Sequence, residues 1–165
     1  MKTLVIVAAL LLAAPCFAQN EDRKPVEDGR FYRLDFVVKD LENGKVVNTR
    51  AWNLTIADLA PLSNSSIRNN DRVPVPTGGG NQTYEQVGVN IDCRLIRAYS
   101  SQLQLMLSFE LTGAAPGDHA PPLLNTTKWS AGVVVPLRKT VTVFSSDSPS
   151  AKRQLQLELT ATPLQ

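Results

Sequence analysis

Histidine and cysteine are nearly absent from this 165-residue chain: one histidine, His119, and two cysteines, Cys16 and Cys93. A single histidine leaves little for acid–base or metal chemistry, because a triad or a ligand set needs several such groups converging. His119 stands in Gly117-Asp118-His119-Ala120-Pro121, a turn-rich setting that reads as a solvated loop. Ser65-Ser66 and Ser145-Ser146 lack a nucleophile-elbow pattern, and neither Asp118 nor Glu110 has an evident partner carboxylate. Charge of one sign is also lacking. The 17 basic residues less Lys2 leave 16 against 15 acidic ones, which gives no reason to invoke nucleic acid or an anionic surface. Basic pairs such as Arg138-Lys139 read as solvated strand ends. Long apolar runs are missing after the first residues, so no later stretch spans a membrane as a helix. No heptad, helical stripe or internal repeat stands out. No catalytic, cofactor-binding or metal-binding residue is therefore singled out, and no cofactor is implied.

The first residues form a targeting segment. Lys2 precedes the apolar run Leu4 to Ala14, which is shorter than the ~20 residues of a spanning helix, and Cys16-Phe17-Ala18 offers small residues for a cut after Ala18. Pro15, where a lipoprotein signal wants a small residue, speaks against lipidation of Cys16. Residues 1–18 read as a signal peptide and 19–29 as a polar, flexible leader. Residues 30–165 read as a single domain large enough for a real core. Cys93 is then the only thiol left, so no internal disulfide forms although export permits one. It falls on an apolar face with Ile91 and Leu95 and reads as a small buried hydrophobe.

What the chain does have is alternation. Val87, Val89, Ile91, Cys93 and Leu95 share one face of an extended run, opposed by Gly88, Asn90, Asp92 and Arg94. After Ala98-Tyr99-Ser100-Ser101 the pattern resumes with Leu103, Leu105, Leu107, Phe109 and Leu111. A period of two around a short break is a hairpin of half-buried strands. Tyr32, Leu34, Phe36 and Val38 give an earlier strand, and Asn43-Gly44 a type I′ turn. Trp52, Leu54 and Ile56 lie in the return strand. Trp129 to Leu137 gives another, Val141 to Phe144 a short one before a turn at Ser145 to Ser150, and Arg153 to Thr162 the last. Between Ala57 and Gly80 the composition predicts two short strand pieces, Ser66-Ile67-Arg68 and Arg72 to Pro76. The prolines place the second piece at a sheet edge. Gly78-Gly79-Gly80 lacks the context of a phosphate cradle and reads as a loop. About eight strands with frequent turns indicate an all-β fold, an antiparallel β-sandwich or open barrel. Periodicity equally admits an inverted arrangement with the apolar set toward lipid.

The succession of motifs resembles the β core of the secretin family, ring-forming outer-membrane channels of secretion and pilus systems. Ser65-Ser66-Ile67-Arg68, then Asp71-Arg72-Val73-Pro74-Val75, resembles the family's strand leading into a Pro-Val edge. Tyr84-Glu85-Gln86-Val87-Gly88-Val89-Asn90-Ile91 is similar to its aromatic, acidic, Val-Gly-Val opening of a long hairpin. Leu103 to Thr112 matches the return strand and Leu159-Thr160-Ala161-Thr162-Pro163 the closing one. Gln19 to Gly29 is too short for the ring-building domains that precede this core in secretins. The resemblance implies an exported, non-enzymatic module in the periplasm or outer membrane of a Gram-negative bacterium. Its partners would be proteins, either itself or a secretion or pilus component, with outer-membrane association and no nucleic acid. Edges for strand addition would be Arg72, Val73, Pro74 and Val75 together with whichever terminal strand is unpaired. The alternative reading is a soluble periplasmic or secreted β-sandwich that binds a ligand, with Trp52 or Trp129 exposed as a platform; in the strand registers both tryptophans fit core or interface. Asn-x-Ser/Thr sequons occur at Asn53, Asn64, Asn81 and Asn125; a bacterial envelope gives them no default meaning.

Overall fold

The computed structural model describes residues 29–59, 63–78, 81–114, 124–148 and 153–164. The proposed signal peptide, nearly all of the leader and His119 lie outside them. Eight strands follow one another: β1 (Phe31–Glu42), β2 (Lys45–Ala57), β3 (Asn64–Gly78), β4 (Asn81–Ala98), β5 (Gln102–Ala114), β6 (Leu124–Pro136), β7 (Thr140–Ser148) and β8 (Arg153–Leu164). They form two separate four-stranded antiparallel sheets, ordered β2-β1-β8-β7 and β3-β4-β5-β6. Of the two architectures the sequence allows, this is the sandwich.

Alternation explains why these segments pair as they do. Tyr32, Leu34, Phe36 and Val38 on β1 stand beside Leu54 and Ile56 on β2 and Leu157, Leu159 and Ala161 on β8, all buried. The other sheet turns Val89, Ile91, Cys93 and Leu95 of β4 inward, with Leu103, Leu105, Leu107, Phe109 and Leu111 of β5 and Val135 of β6. The two apolar faces meet in one continuous core. A one-residue slip of any strand would turn its apolar set to water, so burial fixes the register. The apolar residues lie between the sheets, and the lipid-facing inversion is not adopted.

Turns carry the expected chemistry. Asn43 and Gly44 both take positive φ, 50° and 76°, as a type I′ hairpin requires. Tyr99 N–H donates to Gln102 O at 2.9 Å across the β4–β5 break. Three expectations need correction. The two pieces between Ala57 and Gly80 are one strand, because β4 pairs with all of it, the polar Asn69-Asn70-Asp71 included. Ser145 to Ser148 extend β7 against Gln156 to Arg153, so the polar turn begins later. Neither terminal strand is free, since β1 lies between β2 and β8 and β8 between β1 and β7.

Candidate assembly edges

The sheet edges are β2 and β7 in one sheet and β3 and β6 in the other. Arg72, Val73, Pro74 and Val75 lie on edge strand β3, opposite Gln86, Glu85, Tyr84 and Thr83 of β4. Here β3 and β4 run beyond the sheet. The pairing of β4 with β5 ends at Gly88↔Thr112, so Asp71–Gln86 is held as a two-stranded ribbon among the described residues. Tyr84 is 62% exposed on it, while Val73 and Val75 are half-buried. Gly88 marks the junction. Its φ is +143°, and a Cβ there would overlap the Asn69 carbonyl oxygen. Glycine is therefore demanded where β3 passes closest to β4.

The outward faces are polar. Arg33 pairs with Asp35 at 2.7 Å, Lys39 with Glu158 at 2.6 Å and Arg50 with Asp40 at 2.8 Å on one sheet. Arg68 pairs with Asp92, and Lys128 with Glu110 at 3.2 Å, on the other. Glu110 thus works as half of an ion pair. Charges spread over both outer faces would be costly against hydrocarbon, so these faces suit water or protein.

Chemical centres are sparse. No group of three or more His, Cys, Asp or Glu converges among the described residues. Cys93 is buried among core side chains, and burial pushes its thiol from the ordinary 9.0 up to about 12, the opposite of an activated nucleophile. Trp129 is half-buried against Phe144, ring centroids 5.4 Å apart, on the flank where β6 and β7 meet. Trp52 is half-buried on the other flank, in a cleft of about 370 Å³ that it shares with Arg50, Asp71, Gly88, Val89 and Leu111. Sequence reasoning missed β6 as the second edge of its sheet; Lys128 on its solvent face, a common edge guard, is the signal that pointed to it.

No protein-family model matches the sequence, and no curated protein sequence matches it. Its fold does have counterparts. The type III secretion injectisome secretin InvG of Salmonella SPI-1 is similar over 83% of this chain and 65% of that one, with 11% identity and a TM-score of 0.50. A Salmonella basal-body structure of InvG, PrgH and PrgK is similar over 83% of this chain and 46% of that one, again with 11% identity and a TM-score of 0.50. The chain spans less than two-thirds of the length of either counterpart. Two four-stranded antiparallel sheets in this order, with β3 and β4 overhanging, have the fold of a secretin-like β domain.

Proposed function

We propose that this protein is an exported, non-enzymatic component of a Gram-negative cell envelope, a secretin-like β module that works by joining its sheet edges to protein partners. The partner is a second copy or a component of a secretion or pilus apparatus. The signal peptide ends at Ala18, residues 19–29 tether the domain that begins at Arg30, and the site of action is the periplasm or the outer membrane. One observation carries the reading: a secretin-like sandwich with polar outer faces whose β3–β4–β5–β6 sheet ends on both sides in strands that no described strand covers. Open edges are templates for strand addition, and edges at opposite ends of one sheet allow copies to join head to tail. Light scattering of the processed protein, with and without mild detergent, tests this. A discrete assembly is the expected result, and a monomer in both conditions would count against self-assembly and leave an accessory subunit.

The cleft beside Trp52 favours a second reading, a ligand-binding sandwich. Arg50 donates through Nη2 to Asp40, but its Nε is buried with no partner among the described residues, leaving a donor near an apolar floor of Val89 and Leu111. That reading expects a monomer whose tryptophan emission is quenched by a soluble quencher, whereas assembly through this flank shields Trp52.

A further inference from the structure

The open side of β3 is not uniform along its length. Leu95 N–H donates to Ser63 O at 2.7 Å, one step before the Asn64↔Arg94 pair. In an antiparallel ladder, pairs that exchange backbone hydrogen bonds alternate with pairs that do not. The odd-numbered residues Ser65 to Val75 therefore spend their N–H and C=O groups on β4. Asn64, Ser66, Arg68, Asn70, Arg72, Pro74 and Pro76 turn theirs to the open edge. The prolines agree with this parity, since at the other parity they would leave bonds to β4 unmade. From Asn64 to Arg72 the edge thus offers alternating donors and acceptors, and past Arg72 two successive outward positions offer carbonyls alone. The same parity rule applies to β6. Leu137 N–H donates to Ser101 O at 2.9 Å, which assigns the odd residues of β6 to β5 and turns Leu124 to Val134, and then Pro136, outward.

We infer that a second copy of this chain adds its β6 to Asn64–Arg72 alone, and that Pro74 and Pro76 set the register by refusing the next rungs. The inference rests on the proposed assembly role and specifies how that edge is used. Strand order makes β3 and β6 antiparallel to each other within the sheet, so a neighbour's β6 meets β3 in the same sense as every other pair in the sheet. Both edges carry polar side chains on the solvent face, Ser66 and Asn70 on one and Thr126 and Ser130 on the other. The joined strands need no apolar surface there. Residues Arg72 to Val75 become the boundary of the docking edge, and the ribbon beyond them stays unpaired.

Parity supplies the test. Ser66→Pro with Asn70→Pro removes two outward donors and spares the bonds to β4, while Asn69→Pro breaks an inward one. Light scattering over a concentration series reads association, and circular dichroism reads the fold. The outward pair is expected to keep the fold and weaken association about a hundredfold, near tenfold for each lost hydrogen bond. Pro74→Val with Pro76→Val, which leaves β3–β4 bonding intact, is expected to replace one discrete mass with a spread of larger ones. If the wild-type protein assembles and both double variants keep its mass and concentration dependence, the inference is overturned while the assembly reading stands. If the wild-type protein is monomeric throughout, the self-assembly reading falls, and the inference with it.

Discussion

The body of the sandwich and the ribbon that overhangs it are built from the same two strands, β3 and β4, and differ in what lies across from them. Val89, Ile91, Cys93 and Leu95 face a second sheet and are buried. A few residues along, Val73 and Val75 are only half-buried and Tyr84 stands largely in water. Alternation creates an apolar face, but only an opposing sheet buries it. The ribbon is held chiefly by its cross-strand hydrogen bonds, which suffice poorly for a two-stranded piece alone. Stability is concentrated in the body, and the ribbon is free to be recruited.

The largest test of that division lies in the core. Phe109 is buried between Ile91 and Trp129 in register and 6.4 Å from the ring of Phe144. Phe109→Ala should lower unfolding free energy by about 3–5 kcal/mol in denaturant titration, through lost burial and the cavity left behind. Cys93 probes the same core by pH. Its thiol stays protonated in the fold until about pH 12, whereas the unfolded thiol ionises near 9.0. Between those values the native state holds the extra proton, so stability falls as pH rises, by about 1.4 kcal/mol per unit. Cys93→Ala should flatten that part of the alkaline profile, and a thiol reagent at neutral pH should label the wild-type protein only after denaturant is added.

How much of this was legible depends on how local the signal is. The inward faces of β1, β4, β5 and β8 stand in the alternation itself, and Asn43-Gly44 announced its turn through the backbone angles it permits. Pro74 and Pro76 announced an edge. The central placement of β1 and β8 was not legible, because their pairing joins residues such as Leu34 and Ala161 from opposite ends of the chain. Continuity of β3 through Asn69-Asn70-Asp71 was hidden for a related reason: the pairing comes from the partner strand, against the residues' own preferences. The open-edge parity needed a single hydrogen bond, Leu95 to Ser63, that no sequence pattern states.

The junction between body and ribbon gives the next smaller effect. Gly88→Ala would force a side chain into a φ of +143° and against the Asn69 carbonyl. A cost of about 1–3 kcal/mol is expected, read as a lower denaturation midpoint with an unchanged slope, since the denatured chain is barely altered.

Smallest is the ribbon itself. Tyr84→Ala removes a large side chain that touches little of the core, so global stability should move by no more than about 0.5 kcal/mol. Hydrogen exchange then separates the two regions where denaturation cannot. The amides of Val73, Val75 and Glu85 are bonded across the ribbon, as Ile91 and Cys93 are bonded in the body, yet the first set can open without exposing the core. They should exchange well before Ile91 and Cys93, and Tyr84→Ala should hasten the first set alone. Equal protection in both would mean that the ribbon opens only with the whole domain, and the division of stability between body and ribbon would have to be abandoned.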